Sequence, residues 1–218
     1  MEPVSTRRNP FVDLICKRGN IWTIFGFKKV IGDLIQEDGM IKRQDAFFVL
    51  VDVQGKLADL MFEKEKLFKN LQILIQGLRE LEVPIVWAEQ YPEGLGETVP
   101  EVKAVLGGLV PIAKRSFSVC RNPELMKEIR ATGRREAIVA GIESHVCVYQ
   151  TVSDLLSKDY GATIVADATS SRTKENRDIG LQRMLSEGAW LTSVEMLLFE
   201  LLEHAEGESF KKISKLVK

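Results

Sequence analysis

The sequence predicts an α/β fold of three layers, in which helices cover both faces of a six-stranded parallel sheet. Strand and helix patterns alternate six times with short joints, which is typical of such a sheet. The predicted strands are short, continuous apolar runs, as expected of strands that are buried on both faces. Right-handed crossovers leave few arrangements, and the commonest has the Rossmann-like strand order 3-2-1-4-5-6. This order is therefore the predicted one.

The first half of the chain's regular part contains three predicted strands and one long helix. Apolar side chains recur at i, i+4 and i+7 across residues 63–82, which indicates a strong amphipathic helix. A loop rich in glycine, proline and glutamate covers residues 91–100. Pro111 weakens the third strand, because proline cannot donate to a sheet ladder. The predicted strands are residues 46–52, 84–88 and 109–113.

The second half of the chain's regular part contains three more predicted strands, each followed by a predicted helix. Asn122 followed by Pro123 gives an N-cap with proline at the first helical position, so a helix is predicted from there to about residue 132. Thr173 caps a later helix that runs to about residue 187. The remaining strands are residues 136–142, 162–166 and 189–192, and the remaining helices are residues 144–158 and 196–202.

The composition excludes several functional classes. The chain has 218 residues, 45% of them hydrophobic and 28% charged, which suits one soluble globular domain. The net charge of -1 gives no positive field for phosphates, so no nucleic-acid partner is expected and a small-molecule substrate is favoured. Three cysteines, at Cys16, Cys120 and Cys147, predict free thiols in a reducing, cytoplasmic setting. The two histidines, His145 and His204, lie too far apart for a zinc motif.

The two ends of the chain fall outside the regular pattern. Residues 1–44 form an N-terminal extension, residues 45–206 the domain, and residues 207–218 a basic C-terminal tail. No apolar run approaches the ~20 residues that a membrane span needs. Apolar side chains at helical spacing predict a helix in the extension. The favoured interpretation is a helix that docks on the domain or on a neighbouring subunit, and the alternative is a basic amphipathic helix on a membrane surface. The side chains at this spacing are Ile24, Phe27, Ile31 and Leu34, beside Lys28 and Lys29.

The topology directs attention to the ends of strands 1 and 4. Ligands of such sheets bind beyond the carboxyl ends of the strands, where the strand order reverses. Asp52 ends strand 1, and either a helix cap or loop salt bridge or a catalytic role would explain a carboxylate there. Cys147 lies in the first turn after strand 4, where the helix dipole and amides should lower its pKa below ~8.5. Lys114 follows strand 3, and its charge near Cys147 would lower that pKa further.

Other motifs argue against a cofactor. Strand 1 is followed by Asp-Val-Gln-Gly-Lys, without the G-x-G-x-x-G pattern, and no phosphate-binding G-x-x-x-x-G-K-[ST] occurs in the sequence. His145 lies two residues from Cys147 and so should point to a different side of a helix. It is therefore interpreted as a rim or substrate-facing residue and not as a base. No cofactor is predicted.

Asp52, Lys114 and the motif Gly-Ile-Glu-Ser-His-Val-Cys-Val-Tyr-Gln-Thr at residues 141–151 resemble the isochorismatase-like cysteine hydrolases, in particular the small isochorismatase-domain proteins. Val-Ala-Asp-Ala-Thr-Ser-Ser-Arg at residues 165–172 is also similar to the family's stretch after strand 5. The resemblance covers about residues 45–202. It implies the isochorismatase-like hydrolase fold, hydrolase activity and a homo-oligomer, for which the apolar last helix would suit an interface.

The resemblance also implies a catalytic triad. Asp52 would take the proton of Cys147, Lys114 would stabilise the thiolate and orient the carboxylate, and Cys147 would attack the substrate to form a covalent intermediate. A cis peptide bond between Ile142 and Glu143 would turn the amides of Glu143 and Cys147 inward as an oxyanion hole. Such a bond costs ~3 kcal/mol unless the fold enforces it.

The sequence differs from two better-known branches of the family, and the differences limit the reactions that are expected. The nicotinamidase branch binds a metal with histidines after strand 2, whereas residues 87–91 contain none, so no catalytic metal is predicted. True isochorismatases cleave a vinyl ether and typically lack the cysteine, so Cys147 favours hydrolysis of C–N or similar acyl bonds. Gln54, Phe117 and His145 are predicted substrate contacts from their positions alone.

Two alternatives remain beside the hydrolase. The domain could bind or scaffold without catalysis, a reading favoured only if a triad member were missing. Cys147 could instead be a redox-sensing thiol with Cys120 as its partner, which would require the two Cα atoms to lie within about 7 Å.

Overall fold

The computed structural model describes residues 40–218. Its six strands form one parallel sheet in the order β3-β2-β1-β4-β5-β6, so the predicted order is confirmed. The strands are β1 Ala46–Val51, β2 Ile85–Gln90, β3 Ile112–Lys114, β4 Glu136–Ile142, β5 Gly161–Ser170 and β6 Trp190–Thr192.

Helices cover both faces of the sheet. Those before β4 are α1 Gly55–Asp59, α2 Lys64–Glu80, α3 Pro92–Leu95, α4 Pro100–Leu106, a 3₁₀ turn Val119–Arg121 and α5 Pro123–Ala131. Those after β4 are a π-turn Ser144–Val148, α6 Tyr149–Leu156, α7 Lys174–Ser186, α8 Val194–Leu202 and α9 Gly207–Leu216.

The sheet lies between two apolar layers. Every residue of β1 is buried, and its side chains alternate between the two faces as the period of a strand requires. Phe48 and Leu50 join the core under α2, α8 and α9. Phe47 and Val49 join the core under α5, α6 and α7. The continuous apolar run that predicted β1 therefore reflects burial on both faces.

Local capping places the helix starts where the sequence predicts them. The Asn122 side chain accepts hydrogen bonds from the amides of Glu124 (2.9 Å) and Leu125 (3.1 Å), and Pro123 is the first residue of α5. The Thr173 hydroxyl accepts one from the Asn176 amide at 3.2 Å, which starts α7. These two predicted starts are confirmed.

The third strand lies further along the chain than predicted. The strand is Ile112–Lys114, not residues 109–113, because pairing with β2 begins only after Pro111, at Ala88 with Ile112. The register pairs Gln90 with Lys114, so the lysine is the last residue of the strand. The stretch after β2 is also more regular than the predicted loop, since it contains α3 and leads into α4.

The C-terminal segment predicted as a basic tail is a helix. Its Ile213 is fully buried in the core, while Ser209 and Lys212 contact the Glu80 carboxylate of α2. The apolar side chains of α8 also face this core, with Val194, Leu197, Leu198 and Leu201 buried and Met196 exposed. Packing within the domain therefore accounts for the apolar character that suggested a subunit interface.

The predicted N-terminal helix lies outside the described residues, as does Cys16. Within residues 40–218, no helix has the length and apolar content that crossing a membrane requires.

Gly141 allows β1 and β4 to approach each other beside the site. Its φ is 140°, and a Cβ there would lie 2.1 Å from the carbonyl oxygen of Val51. We expect Gly141→Ala to lower the free energy of unfolding by about 3 kcal/mol, measured by urea denaturation. Gly133→Ala is the control, because Gly133 also has a positive φ of 68° but no neighbour within 4 Å of its added Cβ. We expect Gly133→Ala to lower the free energy of unfolding by about 1 kcal/mol. Equal losses in the two variants would contradict the argument that Gly141 is required for the close approach of β1 and β4.

Candidate active site

The ends of three strands bring the predicted site residues together. Asp52 directly follows β1 with a positive φ of 56°, Lys114 ends β3, and Cys147 lies in the π-turn after β4. All three residues are buried, with exposed fractions of 3%, 2% and 7% respectively. The structure thus places them in one buried cluster at the carboxyl edge of the sheet.

Lys114 is held as a fixed cation. Its Nζ lies 2.6 Å from Asp52 Oδ2, in an ion pair whose side chains are almost completely buried. Nζ also donates to Gln90 Oε1 at 2.7 Å and to the carbonyl oxygens of Phe117 at 2.9 Å and Ser116 at 3.2 Å. An ammonium has three N–H donors, so these four acceptors suffice to engage all of them. Lys114 can therefore act through its charge and through Asp52, not as a donor to a substrate.

Asp52 has one engaged and one unengaged oxygen. Oδ2 accepts from Lys114, whereas Oδ1 is buried and has no hydrogen-bond partner among the residues that the structure describes. Burial raises the pKa of the Asp52 carboxyl above its ordinary value, although Lys114 and the neighbouring Cys147 thiol oppose the change and nearby Glu89 adds to it. A carboxylate with a raised pKa is a stronger base than an exposed one.

The thiol of Cys147 is also in a desolvated setting. Burial raises the pKa of Cys147, the negative charge of Asp52 raises it further, and Lys114 only partly offsets the two. The expectation of a lowered pKa is therefore wrong. Position at the start of a helix favours a thiolate, but desolvation and the neighbouring carboxylate outweigh that effect here. The pKa of the thiol therefore lies above its ordinary value, next to the Asp52 carboxyl group.

The second described cysteine, Cys120, lies in the 3₁₀ turn after β3. Burial raises the pKa of its thiol to about 12, and the thiol contacts the carbonyl oxygen of Thr151 at 3.9 Å. Neither Cys120 nor Cys147 forms a disulfide within the described residues. Since redox-sensing thiols are low-pKa and accessible, these properties do not favour the redox alternative.

The backbone around Cys147 differs from the predicted regular helix. Residues Ser144–Val148 form a π-turn, with the Val148 amide donating to the Glu143 carbonyl at 3.3 Å. No peptide bond in the described part of the chain is cis, so the bond expected between Ile142 and Glu143 is trans. Glu143 itself has a left-handed conformation, with a φ of 58°.

A network of polar side chains lines the outer side of the π-turn. The Glu143 carboxylate pairs with Arg172, whose Nε and Nη2 each lie 3.3 Å from one of its oxygens. His145 Nδ1 lies 3.0 Å from the Ser171 hydroxyl, which in turn lies 2.7 Å from the Ser144 hydroxyl. His145 Nε2 is 3.8 Å from Glu143, and its side chain is 21% exposed. The interpretation of His145 as a rim residue agrees with this placement.

The two other predicted substrate contacts have different surroundings. Gln54 is fully buried, and its Nε2 donates to the carbonyl oxygens of Gln90 (3.1 Å) and Gly96 (2.6 Å). Its Oε1 accepts a hydrogen bond from the Gln90 backbone amide. All three hydrogen bonds therefore go to backbone groups, and the side chain is not presented to a substrate. The Phe117 side chain is 53% exposed, while its carbonyl binds Lys114.

Sequence reasoning missed two side chains that position the cluster, the partly buried Gln90 and the buried Thr151. Gln90 binds Lys114 directly, and Thr151 connects the turn that contains Cys147 to the loop after Lys114. The Thr151 hydroxyl donates to the Cys147 carbonyl at 2.7 Å and accepts from the Val119 amide at 3.1 Å. Thr151 belongs to the motif quoted for residues 141–151, but only the fold shows what its hydroxyl contacts.

Among residues 40–218, no group of three or more His, Cys, Asp or Glu side chains is arranged to hold a metal ion. The buried carboxylate of Glu89, next to the site in β2, accepts instead from the amide and the hydroxyl of Thr98, both at 2.7 Å. A metal-free reaction stays a prediction.

Comparisons with known proteins agree with this fold. The chain is 35% identical over 180 residues to isochorismatase domain-containing protein 2 of Danio rerio, covering 82% of this chain and 90% of the relative. A structure of MAR1 ribonuclease from Caenorhabditis elegans is 33% identical, with a TM-score of 0.77 and coverage of 82% and 92%. YcaC from Pseudomonas aeruginosa, solved with hexane-2,5-diol and covalent acrylamide, is 25% identical, with a TM-score of 0.78 and coverage of 84% and 93%. Residues 46–196 match the model of the isochorismatase domain, and the chain belongs to the isochorismatase family.

Proposed function

We propose that this protein hydrolyses a small amide-like substrate, at a C–N or related acyl bond, through a covalent intermediate on Cys147. Family membership supports a hydrolase. The observation that carries the finer proposal is the buried, unpartnered Oδ1 of Asp52 beside the thiol, while Lys114 holds Oδ2. This arrangement supplies a nucleophile, a base and a fixed positive charge within one desolvated cluster.

In the first step, the Cys147 thiol transfers its proton to Asp52 Oδ1, and the sulfur attacks the carbonyl carbon. An S–C bond forms, and the carbonyl π electrons move to oxygen. The proposed oxyanion hole consists of the amides of Glu143 and Cys147, which would donate to this oxygen. Negative charge moves from Asp52 to the sulfur in this step, and it stays beside the Lys114 side chain, which is paired with Asp52 at 2.6 Å.

In the second step, the C–N bond breaks, and the proton on Asp52 passes to the departing amine. Cys147 then carries a thioester. A water molecule attacks the carbonyl carbon of that thioester, and Asp52 accepts a proton from the water. A C–O bond forms, the C–S bond breaks, and the carboxylic acid product leaves. The sulfur departs as a thiolate and takes the proton from Asp52, which restores the resting thiol and carboxylate.

The raised pKa values fit this sequence of steps. A neutral resting thiol is a poor nucleophile towards adventitious electrophiles, and it becomes reactive only where Asp52 can take its proton. Because this base must start ionised, activity should fall as the pH drops through the raised pKa of Asp52. The similar YcaC structure carries covalent acrylamide, an electrophile to which thiols add at the alkene carbon, which supports a reactive nucleophile in a similar fold.

The proposal is tested by covalent trapping. The full chain would be incubated with a panel of small amides and with acrylamide, and adducts would be located by intact-mass and peptide mass spectrometry. We expect adducts at Cys147 in the wild type and in Cys120→Ala, and none in Cys147→Ala. Adducts at Cys120 alone, or turnover of an amide without dependence on Cys147, would overturn the proposal. A single-stranded RNA belongs in the same panel, because the similar protein from Caenorhabditis elegans is named a ribonuclease.

Assembly and location stay proposals. Apolar side chains that are more than half exposed include Ile179, Trp190 and Met196, and they support the expected homo-oligomer. The cytoplasmic location rests on cysteine usage alone.

A further inference from the structure

The side-chain amide of Gln90 has an orientation that its neighbours fix. Oε1 faces Lys114 Nζ at 2.7 Å, and Nε2 donates to the carbonyl oxygen of Arg115 at 3.0 Å. An ammonium can only donate and a carbonyl can only accept, so the amide cannot rotate by 180° without losing both hydrogen bonds. Gln90 therefore presents an acceptor to Lys114 at all times.

The backbone of Gln90 is fixed as well. Its amide donates to Gln54 Oε1 at 2.5 Å, and its carbonyl accepts from Gln54 Nε2 at 3.1 Å. Gln54 follows β1 two residues after Asp52, so one strand end supplies both the anion that pairs with Lys114 and the clamp that holds Gln90. This arrangement therefore fixes Gln90 Oε1, the neutral acceptor of Lys114, relative to Asp52 Oδ2, its charged acceptor.

Without Gln90 Oε1, one N–H of Lys114 could go either to the Ser116 carbonyl, the longest of its contacts at 3.2 Å, or to the carboxylate as a second hydrogen bond. The atom available for that hydrogen bond is Asp52 Oδ1, which has no partner within the described residues. A hydrogen bond from Lys114 to Oδ1 would compete with the thiol proton and would stabilise the ionised carboxylate, which weakens it as a base. Gln90 Oε1, at 2.7 Å, engages the N–H group for which Oδ1 would otherwise compete with the more distant Ser116 carbonyl.

We infer that Gln90 is a positioning residue that keeps Asp52 Oδ1 free to accept the proton of Cys147, by holding one N–H of Lys114 away from the carboxylate. This inference rests on the proposed function. Gln90 does not contact the reacting atoms and acts only through Lys114. Its neutrality also matters, because a carboxylate at this position would add a second anion next to the ammonium.

The test measures the rate of Cys147 alkylation by iodoacetamide against pH in the full chain, by peptide mass spectrometry. We expect Gln90→Met to slow alkylation about tenfold at neutral pH and to move the acidic limb of the profile to lower pH, because Asp52 gains a hydrogen bond in its ionised form. We expect Gln90→Glu to move the limb to higher pH, because a second carboxylate disfavours ionisation of the first. A merely structural role would lower thermal stability without moving the limb in opposite directions.

Gln76→Met is the matched control, since Gln76 donates only to a backbone carbonyl on the exposed side of α2, and its profile should coincide with the wild type. Gln90→Glu keeps the shape of the side chain and so provides a folded variant if Gln90→Met unfolds. Asp52→Asn separates the two hypotheses. If it leaves the acidic limb in place, the proposed function fails. If it removes the limb while both Gln90 variants leave the limb where it is, only the role of Gln90 fails.

Discussion

Replacing Cys147 by alanine should reduce hydrolysis of every amide that the wild type turns over by about 10⁴-fold or more, because the covalent route disappears with its nucleophile. The thiol is a small buried side chain that lies among the core residues on one face of the sheet. Its truncation should therefore lower the melting temperature only modestly. The measurement is steady-state hydrolysis of the best substrate from the panel, with circular dichroism to confirm folding.

Cys120→Ala is the control for this experiment. Cys120 is equally buried, and the pKa of its thiol is also raised. The substitution therefore removes an equivalent sulfur atom from the same core cluster. Its turnover should stay within a few-fold of the wild type. If Cys147→Ala retains full activity, or if both variants lose it equally, Cys147 is not the nucleophile.

Asp52→Asn should reduce the turnover number about 10²- to 10⁴-fold, because an amide cannot take the proton of the thiol. The same substitution removes the negative charge that raises the pKa of Cys147, so the pKa of the thiol should fall. Turnover and thiol acidity should thus change in opposite senses: activity is lost while the thiolate becomes easier to form. Because unfolding would also expose the thiol and lower its pKa, circular dichroism of the same sample checks that the variant is folded.

Asp178→Asn is a suitable control for the loss of one carboxylate. Asp178 pairs with Lys174 near the start of α7, and this exposed ion pair holds the pKa of Asp178 below its ordinary value. Exposed ion pairs contribute little to stability, and Asp178 is not part of the proposed site, so turnover should be unaffected. Loss of activity in this control would mean that general electrostatics, and not the base, explains the effect at Asp52.

The convergence of Asp52, Lys114 and Cys147 could be predicted from the sequence because it follows from topology. Apolar runs identified the strands, and right-handed crossovers placed the reversal of strand order at β1 and β4. The helix starts at Asn122 and Thr173 depend on local capping, which a short stretch of sequence contains in full. In each of these cases, local pattern and global fold agree.

The features that sequence missed depend on contacts between distant segments. The pKa of Cys147 is set by burial and by Asp52, which another strand supplies, so the local helix position alone gives the wrong direction. Gln54 follows Asp52 and resembled a substrate contact, yet its hydrogen bonds go to Gln90 and Gly96. Residues 207–216 form a helix because α2 provides a surface for Ile213, a partner that the basic composition of the segment does not reveal.

The central claim is that Asp52 takes the proton of Cys147, and the pH dependence of Cys147 alkylation tests it most directly. Transfer from thiol to carboxylate changes no net charge, so the wild-type rate should be nearly flat above the acidic limb and should fall only as the pH drops through the raised pKa of Asp52. In Asp52→Asn the proton must go to solvent, so the rate should rise about tenfold per pH unit until the thiol itself is ionised. Rates that rise in parallel in both proteins would contradict the claim.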